Sequence, residues 1–189
     1  MKDLICQIFQ IKSSIVTDNG DTVYFHYDGS AYVERDNRKN VLKSFSRGPG
    51  SEGLISGYDY SYNPIFGIYK KFYADGGIME KGGFCWFGFK IGKWFYYDKI
   101  GNILNIIDYD EGYNFDERKI FHYCLKNNIP LKKVLDGPRT TMHKIKSNDK
   151  NNTWVITYPN YDSGFYMTVV LDGGTGRLLK KDQTLFPQN

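Results

Sequence analysis

The sequence predicts an α+β fold dominated by antiparallel sheet, built from tandem hairpins, one principal helix and a C-terminal β-meander. Three observations carry this. Aromatic side chains, which fit a pleated surface, make up 17% of the 189 residues, with 16 Tyr and 13 Phe. A total of 20 Gly against 6 Pro supplies tight turns without the composition of a disordered chain. Short apolar runs also alternate with polar turn clusters at strand-like intervals.

Residues 4–16 alternate apolar and polar side chains and read as one or two strands. Asp18-Asn19-Gly20-Asp21 follows, and Asn-Gly is the strongest short hairpin signal. Residues 22–27 form a strand, Asp28-Gly29 turns it into residues 31–34, and the polar turn 36–40 leads into a strand at 41–45. Residues 46–57, with Gly48, Pro49, Gly50 and Gly53, read as an exposed linker or binding loop. A phosphate cradle would need a Gly-Lys-Ser/Thr ending and a strand-to-helix transition, which this segment lacks. Tyr58, Tyr60 and Tyr62 alternate, so all three project from one strand face. That face is either a binding surface, where Tyr offers a large rigid contact with a polar tip, or a half-buried sheet face.

The segment from Gly67 to Tyr109 contains a repeat. Gly67 meets Gly92, Tyr69 meets Trp94, Phe72 meets Tyr97, Gly76 meets Gly101 and Ile78 meets Ile103, without a gap, at a shift of 25 residues. Each unit is an aromatic strand, a polar turn whose Gly takes positive φ, and an apolar return strand. Between the units, residues 81–91 read as a further aromatic strand bracketed by glycines. The pattern Gly-x-aromatic-x-x-aromatic-x-x-x-Gly-x-aliphatic resembles MORN-type repeats, in particular the antitoxin-repeat variant of bacteria, over about 67–109. That resemblance implies a non-catalytic protein that binds a partner, with flanking segments completing the fold.

Residues 114–127 read as a helix capped by Asn114 or Asp116, with Glu117 in its first turn and an apolar stripe of Ile120, Phe121, Cys124 and Leu125. A shorter helix or turn is expected over 131–135. Strands at 153–158 and 165–172 flank a loop at 159–164, and residues 172–176 turn again into 177–180. The run Leu171-Asp172-x-x-Thr175-Gly176-x-Leu178-Leu179 after a helix and meander resembles a PepSY-type module, which implies binding or inhibition. Two regions follow: a β-rich hairpin region over 1–112, and a helix-plus-meander module over 113–189 packed with it.

The formal charge is +4, from 25 basic and 21 acidic side chains. The bases are scattered; the nearest basic run, 139–150, is broken by Asp149, so no nucleic-acid partner is expected. Cys6, Cys85 and Cys124 lie far apart with no C-x-x-C pair, which points to a reducing compartment. The N-terminal residues lack the apolar core of a signal peptide, and no stretch has the length of a membrane-spanning helix, so the cytoplasm is the expected location. His26 sits mid-strand, His122 on the helix has no second ligand at helical spacing, and His143 sits in a polar strand. No metal, cofactor or catalytic residue is expected. A Cys/His pair involving Cys124 would have to be assembled in space.

The acidic run Asp108, Asp110, Glu111, Asp116 and Glu117 has three readings: paired carboxylates for hydrolysis or metal binding, a patch facing a basic partner, or a solvated loop entering the helix cap. The expected function is an immunity- or antitoxin-like protein that neutralises a toxin by direct contact, with Tyr58, Tyr60, Tyr62, Asp108, Asp110 and Glu111 as the partner surface. The alternative is a non-catalytic scaffold built on the same hairpins, or a carboxylate-based hydrolase.

Overall fold

The computed structural model describes residues 14–16, 22–27, 31–35, 41–47, 54–61, 63–132, 137–147 and 152–186. Among them are thirteen strands in two antiparallel sheets and one helix, an α+β fold. The first sheet runs in sequence order: β1 (Ser14–Val16), β2 (Thr22–Tyr27), β3 (Ala31–Arg35), β4 (Val41–Arg47), β5 (Leu54–Asp59), β6 (Phe66–Phe72), β7 (Ile78–Cys85), β8 (Phe89–Tyr97) and β9 (Ile103–Asp108). The second is β10 (Thr141–Ile145), β11 (Thr153–Asn160), β12 (Phe165–Asp172) and β13 (Leu178–Leu185), also in order. The helix is α1 (Glu117–Lys126). The chain divides into two compact units, Met1–Phe84 with Lys93–Ile107, and Cys85–Gly92 with Asp108–Asn189.

The repeat at a shift of 25 residues has a turn geometry to match. Tyr73 N–H donates to Gly77 O at 2.7 Å and Gly76 N–H to Tyr73 O at 3.0 Å. The same two bonds recur as Asp98 N–H to Asn102 O, 2.9 Å, and Gly101 N–H to Asp98 O, 3.2 Å. Gly76 and Gly101 share φ +91°, the left-handed residue that closes a three-residue hairpin. A third turn of this kind lies between them, which corrects the reading of 81–91 as one strand. Gly88 N–H donates to Cys85 O at 2.9 Å with φ +108°, so β7 reverses there into β8. Its turn residues, Trp86 and Phe87, are aromatic, and that composition concealed it. The 25-residue period is therefore one strand up and one strand down.

Glycine and aromatic residues are matched across strands. A Cβ on Gly82 would lie 2.3 Å from the Trp94 indole, and one on Gly67 would lie 2.6 Å from the Tyr60 ring. Each glycine thus leaves a slot that a neighbouring ring fills, and Trp94 is 1% exposed with its Nε1 donating to Gly83 O at 2.9 Å. Beside these slots β5 to β8 each contribute one ring to a ladder. Tyr58 and Tyr69 are opposite in register with centroids 5.0 Å apart, Tyr58 and Phe84 are 5.0 Å apart, and Tyr69 stacks on Trp94 at 5.4 Å. Such cross-strand pairs fix register as well as adding stability.

In the second unit α1 starts where the Asp116 carboxylate accepts Lys119 N–H at 3.0 Å, the expected cap. Ile120 and Cys124 are fully buried, whereas Leu125 is exposed, so the apolar stripe is narrower than expected. The core continues through Phe87, Phe89, Met142, Trp154, Ile156, Val169 and Leu171. Trp154 Nε1 donates to Phe115 O at 2.7 Å, which ties the approach to α1 onto the central strand β11. Met142 N–H donates to Phe87 O at 2.7 Å, which joins β10 to the 85–88 turn.

Other boundaries differ from expectation. The loop expected over 46–57 is partly strand, with Ser46 opposite Ser56 and Phe45 opposite a buried Gly57. Gly and Pro punctuate locally, and the ladder runs past them on both sides. Pro159 belongs to β11, opposite Tyr166. The ladder with β10 ends at Thr157, so on that side the missing N–H of Pro159 costs no bond. The turns expected at 18–21, 28–29 and 36–40, the strand before Ser14 and most of the element expected over 131–135 lie outside the described residues.

The two kinds of glycine separate in a stability measurement. Gly76→Ala meets nothing within 4 Å and should cost only the left-handed backbone, about 1–2 kcal/mol. Gly82→Ala must displace a buried indole and should cost about 3 kcal/mol in urea unfolding.

Candidate functional site

The first cluster is centred on Lys144. This lysine lies on β10 with its side chain 4% exposed. Its ammonium is 5.1 Å from the Trp154 ring centre and 5.4 Å from those of Phe89 and Tyr113. Phe89 meets Trp154 edge-on at 4.9 Å, so two walls of this aromatic cage brace each other. Asp110 supplies the counter-charge by a direct ion pair through Oδ1, and its Oδ2 accepts Gly92 N–H at 2.9 Å. Gly92 takes φ +61°, and its carbonyl accepts Tyr109 N–H at 2.9 Å. Cation–π attraction and the carboxylate together offset the loss of water around the ammonium.

This accounts for the acidic run. Both Asp110 oxygens are engaged inside the second unit. Asp108 accepts Asp110 N–H at 2.9 Å through Oδ1, and its carbonyl accepts Lys146 Nζ at 2.7 Å. Glu111 is 80% exposed and lies 3.8 Å from Lys146 Nζ. Asp116 caps α1. The run therefore carries two lysines with it. Among the described residues no group of three or more His, Cys, Asp or Glu side chains is placed to hold a metal ion.

The tyrosines are placed differently from one another. Tyr58 is half-buried in the ring ladder, and burial is the main cause that raises its pKa, with Tyr69 and Glu80 adding to it. Tyr60 stacks on it at 6.1 Å but is only 4% exposed, since its ring fills the Gly67 slot. Tyr62 lies outside the described residues. Cys85 and Cys124 are fully buried, and burial pushes both thiols up to about 12. A thiol held there does not supply a thiolate nucleophile at neutral pH.

The second cluster is on the outer side of α1. Phe115, Arg118, Lys119, His122, Tyr123, Lys126 and Gly176 line an open groove of about 360 Å³. The Phe115 ring covers Gly176, where a Cβ would lie 2.3 Å from it and φ is +76°. That glycine lets the ring lie flat as a groove wall. The groove lining contains three cationic side chains, Arg118, Lys119 and Lys126, with His122 and no carboxylate, around the rings of Phe115 and Tyr123. Lys119 is held in place by donating to Asn114 O at 2.7 Å. Sequence reasoning missed this site. Its signal was Arg118, His122 and Lys126 at four-residue spacing, one stripe of the helix surface.

No protein-family model, curated protein or solved structure matches the chain. Among the described residues no helix is long and apolar enough to cross a membrane.

Two outcomes follow for the Lys144 cage. Asp110→Ala strands a buried ammonium and should cost about 2–3 kcal/mol, below the figure for fully buried pairs because Asp110 is 39% exposed. Lys144→Met keeps the apolar stem and should cost less in the same urea titration. Burial also pushes the Tyr113 hydroxyl up to about 12. The unfolded chain releases that proton near its ordinary pKa of about 10. The Tyr113 contribution to stability is therefore intact below that pH and declines as pH rises towards about 12. Tyr113→Phe should flatten this alkaline limb in unfolding free energy measured against pH.

Proposed function

We propose that the chain is an immunity- or antitoxin-like binding protein that neutralises a partner protein by direct contact in the cytoplasm. The observation that carries this reading is the α1 groove. Its apolar walls, Phe115 and Tyr123, accept a side chain, while Arg118, Lys119 and Lys126 surround it with positive charge and His122 adds a polar ring. The complement is an acidic segment of the partner carrying an aromatic or aliphatic residue. Rings at the centre supply affinity and rim charges supply steering and specificity. Asp108, Asp110 and Glu111 favour a basic partner less, because Lys144 and Lys146 already sit among them. The half-buried Tyr58 remains a candidate contact on the first unit.

The test is co-expression with the product of the adjacent gene, followed by titration calorimetry of the purified pair. The expected result is rescued growth and a one-to-one complex that weakens as salt rises. Arg118→Glu with Lys126→Glu should weaken the complex by about tenfold or more and abolish rescue, with unfolding unchanged. A complex indifferent to this charge reversal would sink the groove as the contact site. A neighbour that is neither toxic nor bound would sink the neutralising role.

A further inference from the structure

We propose that the side chain the α1 groove takes from its partner is an aromatic ring flanked by carboxylates, and that Phe115 and Gly176 set this preference. The inference rests on the reading of the groove as the contact site for an acidic segment, and it narrows the central residue of that segment to one class. The lining, with Arg118, Lys119 and Lys126 and no carboxylate, calls for acidic neighbours on the partner. Those charges do not specify what lies between the acidic residues. The Phe115 wall does.

Phe115 is fixed through both of its backbone groups. Its N–H donates to Gly173 O at 2.9 Å, and its carbonyl accepts Trp154 Nε1 at 2.7 Å. The turn beneath its ring is fixed as well. Asp172 Oδ1 accepts Gly174 N–H at 3.1 Å, Thr175 N–H at 2.7 Å and the Thr175 hydroxyl at 2.7 Å. Gly176 N–H donates to Asp172 O at 2.8 Å. The Asp172 carboxylate is thus engaged within its own turn and does not line the groove.

A Cβ at Gly176 would meet three adjacent Phe115 ring atoms, Cδ2, Cε2 and Cζ, at nearly equal distances, so the ring stands face-on to the glycine. With one face covered, the opposite face is left to line the groove. An aliphatic side chain gains only buried area against this wall. An incoming ring gains an offset stack as well, and its own electron-rich face attracts the ammonium and guanidinium groups around it. Because the wall is in place before the partner arrives, little of that gain is lost to ordering it. Any side chain at position 176 would push the Phe115 ring off the turn. The pinned backbone then leaves only rotation about the side-chain bonds, so the flat wall is lost while every cation stays.

Fluorescence anisotropy on the full chain tests this with two labelled probes: a peptide of glutamates flanking one central phenylalanine, and the same peptide with leucine at its centre. At low salt the phenylalanine probe should bind about three- to tenfold more tightly. Phe115→Leu keeps both backbone bonds and every cation of the groove, and should bring the two probes to the same affinity. Gly176→Ala should do the same through the displaced ring. Both variants should leave the salt dependence of the leucine probe unchanged, a readout that loss of the fold would not preserve. Equal affinity of the wild-type chain for the two probes overturns the proposal. So does the absence of binding by both, or a preference that survives Phe115→Leu. The probes do not involve the product of the adjacent gene, so the ring preference can fail while growth rescue stands, and rescue can fail while the preference stands.

Discussion

The first unit depends on a steric match between a missing Cβ and a ring on the next strand. Trp94 can reach the surface of β7 because position 82 is Gly, and Tyr60 can close over β6 because position 67 is Gly. Glycine in a strand normally weakens it, through backbone entropy and the absence of a packing side chain. Here the ring from the neighbouring strand restores the contact and occupies the gap. The ladder of Tyr58, Tyr69, Phe84 and Trp94 lies in line with these slots. A one-residue slip in register would place side chains beneath the rings, so the match specifies pairing as well as stabilising it.

The second unit applies aromatic surface to a charge. Lys144 is nearly as buried as the apolar core, and its environment supplies the compensation: three ring faces and one carboxylate. The residues come from four places in the chain, Phe89, the 110–113 segment, β10 and β11. A cation held by groups so distant in sequence makes the packing of these segments cooperative. It also explains why a loop rich in Asp and Glu is ordered around Gly92. Asp110 bonds to that residue's amide while facing the ammonium.

What could be read in the sequence was local, and what could not was set by partners far along the chain. The cap at Asp116, the positive-φ turns at Gly76 and Gly101, and the alternation of β11 and β12 each follow from a few adjacent residues. The Cys85–Gly88 turn was hidden because aromatic residues occupy places where polar ones are usual. The strand ends around 46–57 were hidden because Gly and Pro suggested a loop where a ladder continues. Lys144 read as one cation in a basic run, since nothing nearby in sequence announces Phe89, Tyr113 or Trp154. The alternation of Tyr58 and Tyr60 was legible, but their unequal burial was decided by Gly67 on the facing strand. The basic face of α1 was present as a four-residue rhythm, while the groove itself required Phe115 to lie over Gly176.

The alternating turns of the meander give this sheet a unit of growth. Because the turns at Gly76 and Gly101 close one end and the turn at Gly88 the other, chain polarity is restored only after two strands. Gain or loss of a whole strand pair would lengthen or shorten the sheet while returning the chain to the same edge, in the same direction and with the same side chains on each face. Gain or loss of a single strand would reverse everything downstream. Variation in the length of such a sheet is therefore quantised, and a duplication of 25 residues is the smallest neutral step available to it.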